Sequence, residues 1–232
     1  MFTDFLLLFQ TANLETPEGT EEVNVNLFGI ISEGGILSWI IFIVLMILAV
    51  IAVFIFFERY FNITRAARID ENFMNNIRAN VGAGNISAAR ALCQNTDSPM
   101  SRMVEKGLMR IGKPLRDIDA AIENVGNLEV FKLEKGLSTL ASISGAAPMI
   151  GFFGTVTGMI QAFFEMSTAD NVTPTVLAGG IYQALLTTAF GLLIGIISFV
   201  GYNLLVARVE KVVFKMERTT TEFMDLLQEP GS

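Results

Sequence analysis

Three stretches of apolar residues are long enough to cross a lipid bilayer, and the first is the most apolar. Residues 36–57, ILSWIIFIVLMILAVIAVFIFF, contain no charged residue and almost nothing polar. At about 1.5 Å rise per residue, a helix of this length spans roughly 33 Å, more than a hydrocarbon core of about 30 Å. Trp39 and Tyr60 lie near its ends, where interfacial aromatic residues are common. This pattern predicts a first transmembrane helix.

The second and third apolar stretches are more polar than the first. Residues 136–164 and 175–207 contain no Asp, Glu, Lys or Arg, but both are rich in Gly, Ser and Thr. Each is long enough to cross a bilayer, and residues 165–174 form only a short link, so the two are expected to make a helical hairpin. The predicted fold class is therefore an all-α membrane protein with three transmembrane helices.

Lysine and arginine are distributed unevenly along the chain, and their distribution predicts an orientation. All 16 lie in residues 59–135 or 208–218, and the rest of the chain has none. Cytoplasmic loops near membrane spans carry an excess of Lys and Arg. The resulting boundaries are a periplasmic N-terminal segment (1–35), a cytoplasmic loop (58–135), a periplasmic turn (165–174) and a cytoplasmic tail (208–232), in a bacterial inner membrane.

The first residues of the chain admit two interpretations. Met1–Gln10 is apolar, but it lacks the basic residues that precede the apolar core of a signal peptide. A short helix lying on the outer membrane face is therefore favoured. Cleavage of residues 1–20 is the alternative.

The loop between the first and second spans is predicted to be helical with three breaks. The first falls at residues 82–85, with Asn85 as the N-cap of the next helix, the second at 97–99 and the third at 112–114. After the third break no helix breaker intervenes before Pro148, so one long helix is predicted to run from the loop through the second span. Its apolar face, expected to pack against neighbouring helices, comprises Leu115, Ile118, Ile122 and Val125.

Composition excludes several classes of function. The chain is 52% hydrophobic and 17% charged, whereas soluble domains contain about 25% charged residues. Its net charge is −7 without a basic tract, which argues against a nucleic-acid partner. Cys93 is the only cysteine and histidine is absent, so neither a cysteine-based metal cluster nor histidine acid–base chemistry is available. No nucleophile–base pair or phosphate-binding loop is recognisable, so we predict no cofactor, no metal site and no enzyme.

Small and polar residues in the second and third spans indicate close helix packing around a polar axis. Helices associate in lipid through close contact and hydrogen bonds, and Pro148 frees a backbone carbonyl group that needs another partner. The alternative is that the hydroxyl groups in these spans bond to their own helix backbone. The candidate packing residues, through which copies of the chain are expected to associate, are Gly151, Gly154, Gly158, Gly191 and Gly195; the candidate pore-lining residues are Pro148, Thr155, Gln183, Thr187 and Thr188.

No Asp, Glu, Lys or Arg lies within any of the three predicted spans. A proton path that depends on protonation normally contains a carboxylate inside the membrane. The chain can therefore form the wall of a proton path but offers no proton carrier. If it moves protons, the carboxylate comes from another subunit. The strongly apolar first span is expected to face lipid while the other two surround the axis.

Three short segments resemble one known family. Residues 147–158 read APMIGFFGTVTG, residues 180–191 read GIYQALLTTAFG, and Tyr202-Asn203 closes the third span. Together they resemble the MotA/TolQ/ExbB proton-channel family, and the three predicted spans match its ExbB and TolQ branch. The resemblance covers most of the chain from about residue 30 onward.

The resemblance implies a motor driven by proton flow. In that family five copies of the chain surround two copies of an ExbD- or TolR-like partner that has a single span. The partner supplies the membrane aspartate, and the complex drives a TonB- or TolA-like protein. Pro148, Thr155 and Thr188 match the family's proline and its two polar pore residues. Gln183 departs from the pattern, because ExbB and TolQ usually carry glutamate there. This departure argues against an essential titrating role for position 183.

Two other classes of function compete with the motor interpretation. A non-conducting membrane scaffold of a secretion, gliding or envelope complex would also have three spans and helical extensions. A membrane enzyme is disfavoured by the lack of catalytic motifs. The sequence does not distinguish TonB-dependent transport from envelope maintenance, nor proton from sodium.

Overall fold

Every regular element in the described part of the chain is an α-helix. The computed structural model describes residues 35–68, 70, 72–168 and 174–228, so the predicted periplasmic segment before Gly35 and residues 169–173 of the predicted turn lie outside the described residues. The helices are α1 (Gly35–Ala66), α2 (Phe73–Gly82), α3 (Ile86–Asn95), α4 (Pro99–Leu108), α5 (Leu115–Glu134), α6 (Leu137–Thr168) and α7 (Pro174–Gln228).

The three predicted spans are confirmed as parts of α1, α6 and α7, which are long and apolar enough to cross a membrane. α7 has 55 residues, and at about 1.5 Å per residue it is roughly 80 Å long. It continues without interruption beyond Ala207 to Gln228. The third span and the tail after it therefore form one continuous helix, which connects the membrane-spanning region to the helices outside the spans.

The predicted single helix from the loop through the second span is wrong at one point. α5 ends at Glu134 and α6 begins at Leu137, because Gly136 adopts a positive φ of 82°. A residue with a Cβ atom rarely adopts this conformation, whereas glycine does so without strain. A second break, between the end of α1 at Ala66 and the start of α2 at Phe73, was not predicted because the intervening sequence contains no glycine or proline.

The helices outside the spans form a small bundle around α4. The predicted breaks at 82–85, 97–99 and 112–114 are confirmed. Asn85 caps α3, with its side-chain oxygen accepting from the Ala88 N–H at 3.1 Å, and Ser98 caps α4 in a capping box with Ser101. On α5, Ile118 and Ile122 are buried and Val125 is partly buried, but Leu115 is exposed. The first position of the predicted face therefore does not pack.

A buried carboxylate ties α4 to α5. Arg102 donates to one oxygen of Glu129 at 2.7 Å, and Lys132 donates to the other oxygen at 2.7 Å. Burial opposes ionisation of Glu129, but these hydrogen bonds outweigh it and hold the pKa of the carboxyl group below its usual value. Arg102 also donates to Asp97 at 2.9 Å, so the network fixes the position of α4 relative to α5.

The first span packs along one side and is exposed along the other. Ile41, Leu45 and Ala52 are buried, while Val50 and Phe54 are about 65% exposed. The rings of Phe42 on α1 and Phe190 on α7 meet edge to face with centroids 5.6 Å apart. One side of the first span therefore packs against the hairpin of α6 and α7, and the expectation that this span faces lipid stays a prediction for its exposed side.

Candidate functional site

Glycine residues bring α6 and α7 into backbone contact. A Cβ atom placed on Gly191 would lie 2.6 Å from the carbonyl oxygen of Ala147 and 2.9 Å from the Cα atom of Gly151. A Cβ atom on Gly151 would lie 2.9 Å from the carbonyl oxygen of Thr187. These distances are shorter than real Cβ contacts, so only glycine permits this approach. The hairpin seam, meaning the line of contact between α6 and α7, therefore depends on these two residues.

The other candidate packing glycines also lie in or beside this seam. Gly158 faces Ala184, and Gly195 lies against the ring of Pro148. Gly154 faces Thr187, with Ile41 of α1 close by. All of these contacts lie within one chain, and the association of copies through the glycine faces stays a prediction.

Pro148 lies in the seam as well. Proline has no N–H group, so the carbonyl group of Ser144 loses its usual donor within α6. A Cβ atom on Gly195 would lie 3.1 Å from the Ser144 carbonyl oxygen, which shows that the backbone of α7 approaches this group closely. Pro148 therefore contributes to helix packing in this structure.

Thr155 and Thr188 form a hydrogen-bonded pair across the seam. Their hydroxyl oxygens are 2.9 Å apart. Thr188 donates to the Gly151 carbonyl oxygen on the other helix at 2.9 Å, and the Thr155 hydroxyl lies 2.6 Å from the Phe152 carbonyl oxygen of its own helix. Each hydroxyl has one proton and two acceptor lone pairs. With the Thr188 proton on Gly151, the Thr155 oxygen keeps acceptor capacity for a group outside the chain.

The two threonines lie at the open edge of the seam. Both are partly exposed, and the apolar side chains beside them, Phe152 and Leu185, are 65% and 58% exposed. We call Thr155, Thr188 and these two flanking residues the threonine edge. It provides polar oxygen atoms within an otherwise apolar surface, which suits a neighbouring helix that carries a polar group.

Gln183 and Thr187 lie on the adjoining face of α7, toward α1, and Thr187 also packs against Gly154 of α6. Both are buried, and with Ser38, Phe42, Leu186 and Phe190 they line a cavity of about 10 Å³ between α1 and α7. Thr187 donates to the Ala184 carbonyl oxygen of its own helix at 2.7 Å. The five candidate pore residues are thus divided into the threonine pair at the open edge, Gln183 beneath α1, Thr187 between α1 and the seam, and Pro148 within the seam.

Sequence reasoning missed the part that α1 plays around Gln183. Ser38 and Phe42 line the cavity beside it, yet the first span is so uniformly apolar that no periodic pattern distinguishes a packed face from a lipid-facing one. The pairing of Thr155 with Thr188 could be found only from the hairpin register, which is set by the glycine contacts.

Comparison with known proteins is consistent with this architecture. Over 135 residues the chain is 34% identical to a putative biopolymer transport protein ExbB homolog of Methanothermobacter thermautotrophicus, which covers 58% of this chain and 47% of the relative. It is 25% identical over 215 residues to the Tol-Pal system protein TolQ of Pseudomonas aeruginosa, which covers 88% of this chain and 93% of the relative.

A third relative and a family model agree with these matches. The TolQ protein of Haemophilus influenzae is 34% identical over 133 residues, 57% of this chain and 53% of the relative. The matched part thus spans about half the length of two of these three relatives. The model of the MotA/TolQ/ExbB proton channel family matches residues 95–218, which include the whole hairpin seam and the threonine pair. The chain therefore belongs to the MotA/TolQ/ExbB proton channel family, in its ExbB/TolQ branch.

Proposed function

We propose that this chain is the wall-forming subunit of a proton-driven motor in the bacterial inner membrane. The observation that carries the proposal is the threonine edge, where two hydroxyl groups on different helices form a hydrogen-bonded pair inside the apolar zone. Such a pair can accept a hydrogen bond from water or from a protonated carboxyl group and stays neutral throughout. It suits a surface along which protons pass without being held.

The titrating group is proposed to come from a partner. The spans of this chain contain no acidic or basic residue, and a threonine hydroxyl does not release its proton near neutral pH. Two copies of a single-span ExbD- or TolR-like protein, each with a membrane aspartate, would supply the carboxylate. The Thr155 oxygen would accept from the aspartic acid when it is protonated.

The threonine edge also supports a ring-shaped oligomer of this chain. The threonine edge is flanked by exposed Phe152 and Leu185, which a central partner helix would cover. Five copies with α6 and α7 inward would surround two partner helices. Flow of protons along the edge would then turn the ring against the partner, and a TonB- or TolA-like protein would transmit the work.

The client of the motor is proposed to be either a TonB-type transport system or a Tol-type envelope system. The relatives include proteins named for biopolymer transport and for the Tol-Pal system. These names favour both clients equally over secretion or gliding machinery. A passive scaffold is the second candidate, and the long helices outside the spans are compatible with it.

The orientation proposed from the basic residues places the α2–α5 bundle in the cytoplasm. We expect a cysteine at Asn85 to be protected from a membrane-impermeant thiol reagent in intact cells, and a cysteine at Thr168, the last residue of α6, to react. Native Cys93 should give little background, because burial, with a contribution from Glu105, raises its pKa to about 12. Labelling of Asn85→Cys without labelling of Thr168→Cys would reverse the orientation.

The proposed function is tested by assembly with a partner. The chain is coexpressed with an ExbD- or TolR-like protein from the same organism, and the mass of the purified complex is measured in mild detergent. We expect five copies of this chain with two copies of the partner. A stable monomer, or an oligomer that never retains the partner, would contradict the motor and leave the scaffold.

A further inference from the structure

An apolar groove lies between α1 and α7 on the protein surface of the membrane-spanning region. It has a volume of about 400 Å³, and its walls are formed by Val53, Phe56 and Phe57 of α1 and by Ile197, Gly201 and Leu204 of α7. Almost all of its lining is hydrocarbon, and Val53 and Leu204 are about half exposed. The groove therefore has the size and chemistry to hold acyl chains.

The groove ends beside a cation. Arg208 follows Leu204 by one helical turn, and Tyr60 follows Phe56 by one turn, so both lie roughly 6 Å beyond the groove. The guanidinium group of Arg208 donates to the Thr64 hydroxyl at 3.0 Å and to the Tyr60 hydroxyl at 3.2 Å. Its central carbon lies 4.1 Å from the centre of the Tyr60 ring. These contacts hold the cation at the end of the span.

The charge of Arg208 is not neutralised within the described part of the chain. Both of its hydrogen-bond acceptors are neutral hydroxyl groups, and no carboxylate among the described residues forms an ion pair with it. By contrast, Arg59 at the same level of α1 is paired with Glu58 at 2.7 Å. A guanidinium group has five N–H donors, so Arg208 retains donors that can bind an anion.

We propose that this groove and Arg208 together form a binding site for an acidic phospholipid. The acyl chains lie between α1 and α7, and the phosphate accepts hydrogen bonds from the free donors of Arg208. An acidic phospholipid fits both features, because it carries an anionic phosphate directly on an apolar tail. The proposal requires the chain to lie in a membrane but does not depend on proton conduction.

A bound lipid at this position would affect the contact between α1 and α7. Arg208 links α7 to Tyr60 and Thr64 of α1, and the groove lies on the surface where the same two helices meet, with the Phe56 ring against Gly201. The lipid therefore covers this contact from the membrane side. Removing it is expected to weaken the packing of α1 on the hairpin without altering the threonine edge.

The test measures which lipid the purified chain retains. Full-length protein in mild detergent is incubated with equal amounts of phosphatidylglycerol and phosphatidylcholine, and bound lipid is counted by native mass spectrometry. We expect preferential retention of phosphatidylglycerol. Arg208→Gln keeps donors for Tyr60 and Thr64 but removes the charge, and should weaken retention about tenfold. Arg116→Gln, which removes an equivalent exposed charge from α5, should have no effect.

A second pair of variants tests the groove independently of the charge. Val53→Trp should fill the groove and abolish retention, whereas Val50→Trp, on an exposed part of α1 that does not line the groove, should leave retention unchanged. Equal retention of both lipids by the wild-type chain, or normal retention by Arg208→Gln or Val53→Trp, would overturn the proposal. Dissociation of the oligomer by Val53→Trp but not by Val50→Trp would also overturn it, because the groove would then be covered by a second copy of the chain.

Discussion

Replacing Thr155 and Thr188 together by valine is expected to leave the complex assembled but to remove most of its proton flux. Valine keeps the shape of threonine and removes the hydroxyl groups that form the hydrogen-bonded pair. Hydrogen bonds between membrane helices average only about 0.6 kcal/mol, so folding and assembly should survive. A lost hydrogen bond to a charged or titrating group raises a barrier by about 1.5–3 kcal/mol, which corresponds to a loss of about tenfold to a hundredfold.

A control for this variant lies two residues along α6. The hydroxyl group of Thr157 bonds only to carbonyl groups of its own helix, at Phe153 and Gly154. Thr157→Val should therefore keep full activity at normal abundance. Flux and complex abundance are measured on the same samples, together with growth on a TonB-dependent nutrient and tolerance of detergent. Normal flux in the Thr155→Val, Thr188→Val double variant would remove the threonine edge from the proton path.

The second large effect is expected at Gly191. A methyl group there would meet the Ala147 carbonyl oxygen at 2.6 Å and the Gly151 Cα atom at 2.9 Å, and both of these are backbone atoms that cannot rotate away. The two helices of the hairpin must separate. Gly191→Ala should therefore lower the free energy of unfolding by about 1–3 kcal/mol or more, measured by denaturation in bicelles.

The matched control is Gly145→Ala on α6. Nothing lies within 4 Å of a Cβ atom at this position, so the only effect is the better helix propensity of alanine, about 0.5–1 kcal/mol in favour of the folded state. Equal stability of the two variants would show that the seam tolerates separation and that the glycine contacts do not fix the register.

The spans and the breaks in the loop could be predicted because each depends on local chemistry. Length and apolarity define residues 36–57, and Ser98 followed by Pro99 is a recognisable helix start. The interruption at Gly136 could not be predicted with the same ease, since an isolated glycine is tolerated inside many helices.

The sequence did not reveal that the polar residues of α7 lie on different faces of the helix. Gln183 and Thr187 share one helix face by spacing, and Thr188 is adjacent, so all three looked like one polar cluster. In the folded chain Thr188 points in a different direction around α7 from Gln183 and Thr187. Residues 183 and 187 face α1, while 188 meets Thr155 across the seam. Which face meets which helix depends on tertiary packing, and no span contains a charge that would mark it.

The central claim is that this chain forms the wall of a proton path and that the partner carries the titrating group. The most direct measurement is proton flux into liposomes that contain the chain alone, the chain with its ExbD- or TolR-like partner, and the chain with a partner whose membrane aspartate is replaced by asparagine. We expect substantial flux only with the unaltered partner. Flux of comparable size through the chain alone, or through the complex without the aspartate, would contradict it.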